Sequence, residues 1–262
     1  MKYTMKPKVR EIADGIVSVV SAWESVEAVC LNESAAGDTL DPYFALILDV
    51  YVRGSIPSPS ARAAAYPSHV LFETSPGGNK DRFIRDDIPI RIEYKSVDRI
   101  DELVEIACRS GSDLWKIRDS GTYVFYRLSK NRPLFERGGW LVEANRRLSS
   151  VGDSFWVSMR SFYQSTMDHY LADLGAAIVR DDPFHYMISA ANFIKFACSA
   201  LFMENGQFEP SHRGFLSRVL ELKTLPDGFS GYFESFLRPD SELPPSRKYE
   251  IAKLIAKGVV LL

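Results

Sequence analysis

Leu46-Ile47-Leu48-Asp49-Val50-Tyr51-Val52 is the stretch on which the reading of the chain turns. Its aliphatic, β-branched and aromatic residues predict a short strand, with a lone carboxylate at its centre. A second run, Ile88-Pro89-Ile90-Arg91-Ile92-Glu93-Tyr94, carries Glu93 in the same manner. A charged carboxylate in a mostly buried strand is costly unless it is paired, hydrogen-bonded or bound to metal. Two such acids on consecutive strands point to one site. The alternative is that each lies on an exposed face, paired to Arg53 or Arg91.

Outward from these strands, the chain changes character near residue 110. The first part alternates helix, strand and loop. Val9, Ile12, Ile16, Val19 and Val20 recur at helical spacing over residues 7–23, and Ser25 to Leu31 reads as a strand. A small-residue turn over 32–38 precedes the Asp49 strand, and a loop rich in Gly, Ser, Pro and Ala over 54–67 follows it. Residues 69–73 make another short strand, while Asp86-Asp87 turns a hairpin into the Glu93 strand. Ile100, Leu103, Val104 and Ala107 mark a closing helix over 96–108. Beyond Leu114 helices dominate. Asp182-Pro183 caps one and Gly206 ends it, with an apolar stripe from Phe184 to Phe202 between them. Further helices fit 155–179, 211–222, 229–237 and 246–257.

Composition narrows the function classes. At 262 residues and a formal charge of −2, the chain allows one large or two modest domains and shows no polyanion-binding bias, so nucleic acid is not an expected partner. No apolar run approaches the roughly 20 residues of a membrane span, and the basic start lacks an apolar core to follow it. Cys30, Cys108 and Cys198 are far apart and read as reduced core residues. A cytoplasmic protein is the expectation. His69, His169, His185 and His212 are dispersed without metal-ligand spacing. Ser75-Pro76-Gly77-Gly78-Asn79-Lys80 lacks the spacing of a phosphate-binding P-loop and reads as a turn.

Three positions then carry a resemblance: Ser34 in Glu33-Ser34-Ala35-Ala36-Gly37, Asp49 fifteen residues later, and Glu93 on a later strand. In the second half, Asn192 to Phe202, Asn205-Gly206-Gln207-Phe208-Glu209-Pro210-Ser211 and Leu222 to Pro226 follow the order of a long helix, a turn, a second helix and a Leu-Pro ending. This pattern resembles the nucleotidyltransferase superfamily, which includes the antibiotic nucleotidyltransferases and their minimal relatives. The resemblance implies an α+β fold: a small mixed-sheet domain over residues 1–110, followed by an all-α helical bundle over 111–262. It also implies that Asp49 and Glu93 are catalytic and hold Mg2+, while Ser34 binds nucleotide phosphate. Arg91 would stabilise charge and Lys80 would lie within reach of phosphate, although solvated surface charge is the commoner role for Lys80 and Arg85.

On that reading an NTP would donate a nucleoside monophosphate to a hydroxyl of a small molecule or protein, and the helical half could bind a protein partner. Two positions depart from the pattern. Glu33 stands where the family has glycine, and Ile47 stands where it has the first acid of an Asp-x-Asp pair. Both favour the alternative, a catalytically inactive relative that serves as a nucleotide- or partner-binding module.

Overall fold

Alternation along the two acid-bearing strands gives a sheet with unlike faces. The computed structural model describes residues 6–32, 44–67, 70–211 and 215–262. Its strands are β1 (Val26–Leu31), β2 (Leu46–Val52), β3 (Glu73–Thr74), β4 (Lys80–Arg85), β5 (Ile88–Ser96) and β6 (Arg132–Glu136). Among the described residues they form one sheet in the order β3-β4-β5-β2-β1-β6. The central β2–β5 pair is parallel and the other pairs are antiparallel.

Helix α1 (Pro7–Val20) lays Val9, Ile12, Ala13, Ile16 and Val20 into a core with Leu46, Leu48, Val50, Val52, Ile90 and Ile92. Because side chains alternate across a strand, Ile47, Asp49 and Tyr51 point to the opposite face. There the Tyr51 ring lies 5.1 Å from Trp140, at the start of α6 (Trp140–Leu148). Trp140 in turn donates from Nε1 to Asp101 of α3 (Val97–Arg109) at 3.1 Å. The β4–β5 turn is built by Asp86 and Asp87 at φ 52° and 65°. Two left-handed residues match the twist of a tight hairpin, as expected for this pair.

Three elements differ from the sequence reading. The short strand expected over 69–73 is only Glu73–Thr74, with residues 70–72 outside the sheet and residue 69 outside the described residues. The loop expected over 54–67 contains helix α2 (Pro59–Ala64), which Ser58 caps by accepting a 3.2 Å bond from the Ala61 N–H. The capping serine and first-turn proline were masked by a turn-like composition. The third difference is β6. Arg132-Pro133-Leu134-Phe135-Glu136 does not alternate cleanly, yet an edge strand tolerates its proline. This strand pairs with β1 and draws residues back to the sheet. The first compact unit therefore comprises Met1–Cys108 with Arg127–Ser150, and the second Arg109–Tyr126 with Val151–Leu262. One cut at 110/111 does not describe this division.

The second unit is helical. It contains α4 (Trp115–Ser120), α7 (Asp153–Val179), α8 (Pro183–Glu204), α9 (Phe215–Leu220), α10 (Phe229–Leu237) and α11 (Pro245–Leu261), while α5 (Tyr123–Lys130) spans the change of unit. Asp182 caps α8 by accepting from the His185 N–H at 3.0 Å, and Gly206 takes φ 60° just beyond its end. The expected apolar stripe is buried only in part. Phe193, Ala197, Leu201 and Phe202 are in the core, whereas Phe184 and Met187 are 69% and 63% exposed. By length and composition alone α8 is apolar enough to cross a bilayer, contrary to the sequence reading, and half of its apolar window is buried within the protein. Core helices of bundles have this character.

Candidate functional site

Register brings the predicted acids together. Asp49 on β2 is the direct partner of Glu93 on β5, and Lys80 on β4 is the partner of Glu93 on its other side. Cys30 on β1 continues the row beyond Asp49. One pleat repeat away along the same face, Ile47 is opposite Arg91, and Arg91 is opposite Arg82. The position of the missing first acid is thus an isoleucine beside an arginine. Ser34, with Glu33, lies outside the described residues.

The acids are already engaged. Asp49 is fully buried, Glu93 is 9% exposed, and Arg127 of α5 is 8% exposed between them. Its Nε donates to Asp49 Oδ2 at 3.0 Å, its Nη2 donates to Asp49 Oδ1, and its Nη1 donates to Glu93 Oε2 at 2.6 Å. The planar guanidinium is suited to such a fork because its donors are fixed in one plane. Lys95 Nζ lies 3.8 Å from Asp49 Oδ1, and Lys80 Nζ lies 4.0 Å from Glu93 Oε1. Three cations therefore face two carboxylates.

Titration follows from these contacts. Burial raises Asp49 above the usual aspartate range, opposed by the charges of Lys95 and Arg127. At Glu93 burial acts in the same upward sense, but Arg127, Lys95 and Lys80 outweigh it and hold the carboxyl below its ordinary value. Burial pulls Lys95 down. It pushes the Cys30 thiol well up, with Asp49 adding to the effect, so Cys30 is a protonated core residue and not a nucleophile.

A magnesium ion needs the oxygens that Arg127 takes. Both Asp49 oxygens and one Glu93 oxygen are hydrogen-bonded to the guanidinium, and Lys95 and Lys80 lie beside the same two acids. In this arrangement the residues do not fit a two-metal centre. Among the described residues no group of three His, Cys, Asp or Glu side chains is placed to hold a metal ion.

The pairing expected from sequence named the wrong cations. Arg53 bonds Glu27 and Asp98, and among the described residues Arg91 bonds neither acid. The residues missed are Lys95 and Arg127. Lys95 is two residues beyond Glu93, so strand alternation alone placed it on the same face. Arg127, in Val124-Phe125-Tyr126-Arg127-Leu128, is a lone charge in an apolar run, the signal that singled out Asp49.

Unit two holds a separate polar knot. Glu209, 7% exposed, accepts from Thr122 Oγ1 at 3.0 Å, from Tyr163 Oη at 2.8 Å, and from Ser199 Oγ. The Glu209 N–H donates back to Thr122 Oγ1 at 3.0 Å. The histidines are less scattered in space than in sequence: His169 and His185 lie 3.4 and 3.8 Å from the same oxygen of Asp173.

No protein-family model and no curated protein matches the sequence. A similar solved structure is that of a nucleotidyltransferase-like protein from Exiguobacterium sibiricum 255-15, which aligns with 96% of this chain and 74% of its own at a TM-score of 0.50 and 10% identity. A likeness at that identity concerns the fold. The chain has an α+β fold of the nucleotidyltransferase-like kind, in which the sheet's two acids are joined by an arginine.

Proposed function

We propose that this chain is a catalytically inactive protein of the nucleotidyltransferase-like fold, acting as a binding module and not as a magnesium-dependent transferase. The observation that carries this reading is the Arg127 fork across Asp49 and Glu93. Nucleotidyl transfer on such a sheet would require these carboxylates to bridge magnesium and the nucleotide phosphates, so that the attacking hydroxyl and the leaving pyrophosphate are both neutralised. A guanidinium in that place balances the acids' charge but offers no open coordination position. Ile47, fully apolar in the position of the first acid, supports the same reading.

The test is titration calorimetry of ATP and GTP, with magnesium and with EDTA, on wild type and on the Asp49→Ala, Glu93→Ala double variant. The expected result is that magnesium adds nothing to nucleotide affinity in wild type. Magnesium-dependent binding that disappears in the double variant would sink the proposal and restore the transferase reading.

A further inference from the structure

Helix α8 is apolar on nearly every side, yet only part of it is covered. Ser189, Phe193 and Ala197 are buried, with the Phe193 ring 5.6 Å from Phe236 of α10. Phe196 stacks on Tyr170 of α7 at 5.7 Å. On the opposite side Phe184, Met187, Ile188, Ala191 and Lys195 recur at helical spacing and share one face. All five are exposed, Phe184 by 69% and Met187 by 63%. This face runs about 17 Å along the helix at the α-helical rise per residue. A helix apolar all round belongs to an interior, and a contiguous apolar surface marks a contact site.

Charge indicates what covers it. The face carries one charge, Lys195, at its C-terminal end. At its N-terminal end the turn Arg180-Asp181-Asp182 sets two acids against one arginine. Asp182 is committed to capping α8, whereas Asp181 is exposed on a left-handed backbone at φ 53°. Among the described residues no cation pairs with Asp181 and no carboxylate with Lys195. The apolar stretch thus lies between opposite charges, with Ile188 seven residues from each.

A face of this kind is its own complement when a two-fold axis turns a second copy antiparallel to the first. With the axis near Ile188, Lys195 of each copy meets the acidic turn of the other. Phe184 then falls near Ala191, a large side chain against a small one, while Met187 and Ile188 meet at the centre. Opposite charges at the two ends fix this register.

We propose that the outer face of α8 is the interface of an antiparallel two-fold dimer of this chain, with Asp181 and Lys195 setting its register. The interface lies wholly in the helical unit and does not depend on how the Asp49–Glu93 row is read.

Sedimentation velocity over a wide range of protein concentration tests it. Wild type passes from monomer to dimer as concentration rises, with the micromolar affinity of a small interface. Met187→Asp and Phe184→Ser each weaken the dimer about tenfold or more, the loss expected for a central apolar anchor. Lys195→Gln and Asp181→Asn each weaken it about threefold to fivefold, as for an exposed ion pair that occurs twice. Asparagine is chosen because it tolerates the left-handed backbone. The double variant is no weaker than either single one, because both remove the same contact. Thermal melts confirm that the variants are folded, since each altered side chain is exposed in the monomer.

A wild type that stays monomeric at every concentration overturns the proposal. If that monomer instead floats with phosphatidylcholine vesicles, the face is a membrane contact. A dimer indifferent to Met187→Asp and Phe184→Ser forms through another surface and overturns it as well. Losses from Lys195→Gln and Asp181→Asn that simply add overturn the antiparallel register. The nucleotide titration that tests the acid row reads nothing from these residues, so the two proposals fail independently.

Discussion

Asp49 and Glu93 are register partners across the parallel β2–β5 ladder, and they are held as a pair by one guanidinium. Two carboxylates this close cannot both ionise cheaply in a buried site, because each raises the cost of the other's charge. Arg127 changes that balance by bonding both, with Lys95 and Lys80 behind it. The acid row is therefore a complete electrostatic unit before any ligand arrives.

Removing the arginine should expose how much the fold depends on it. Taking one partner from a buried ion pair costs about 3–5 kcal/mol, because the remaining charge is left buried and uncompensated. Arg127→Met is expected to lose stability in that range by urea denaturation. Adding Asp49→Asn and Glu93→Gln to the same chain should recover part of the loss. If the triple variant is no more stable than Arg127→Met, the acids are not what Arg127 offsets.

Glu93 should set an acid-side limit on stability. Burial alone would raise it, but Arg127 and the two lysines bring the folded value below the ordinary 4.5. A carboxyl lowered on folding contributes stability above its unfolded pKa and loses it as pH falls through the folded value. Asp49 works in the opposite sense: it is raised, so its contribution is greatest below the usual aspartate range and is lost as pH rises through the raised value. Comparing wild type with Glu93→Gln isolates the glutamate. Between about pH 6 and about pH 3, wild type should lose more unfolding free energy than the variant. Parallel pH profiles would contradict this.

Local pattern made most elements legible. The β2 residues 46–52 coincide with the quoted apolar run, α10 with the expected 229–237, and α8 with its capping Asp182 and terminal Gly206. The same alternation rule placed Asp49 and Glu93 on one face once register made them neighbours. What pattern could not supply was non-local. Edge strand β6 takes its place from β1, 101 residues earlier at its nearest ends, and nothing in Arg132-Pro133-Leu134-Phe135-Glu136 announces that partner. Arg127 is 78 positions from Asp49 and 34 from Glu93. Its role exists only when the chain returns to the sheet. The Arg82–Arg91 pairing, by contrast, follows from the hairpin turn at Asp86-Asp87, which was readable.

In the helical unit, Glu209 is the residue whose loss should matter most for stability. Its two oxygens accept three hydroxyl donors from α7, α8 and the segment before α5, all far apart in sequence. Burial, with Glu209 second, pushes the Tyr163 hydroxyl well above its ordinary range, so it remains a donor. Glu209→Ala leaves Thr122, Tyr163 and Ser199 buried without that acceptor, at about 1–3 kcal/mol for each donor that finds no substitute. Tyr163→Phe removes one bond and its donor together and should cost about 1 kcal/mol. Calorimetric melts should therefore rank Glu209→Ala well below Tyr163→Phe, and equal melting temperatures would show that the hydroxyls re-pair elsewhere.

A last prediction concerns a buried ion pair that fastens a helix to the sheet. Arg62 of α2 is 1% exposed and bonds Asp81 of β4 through Nε at 2.8 Å and Nη2 at 3.0 Å. It also donates to the Pro57 and Gly78 carbonyls at 2.5 and 2.9 Å, and Thr74 Oγ1 donates to the same aspartate at 2.8 Å. The guanidinium lies 4.7 Å from the Tyr94 ring centroid, so its flat surface is used as well. This one side chain fastens α2 to the β4–β5 hairpin and so fixes Tyr66, four residues on, against Phe72 and Phe83. Arg62→Met leaves Asp81 buried without its cation and should cost about 3–5 kcal/mol. Because the tether is local, hydrogen exchange should rise first in residues 57–66 and at Asp81, with the α7–α8 hairpin unchanged. Exchange in 57–66 no faster than in wild type would show that α2 is held to the sheet without the Arg62–Asp81 pair.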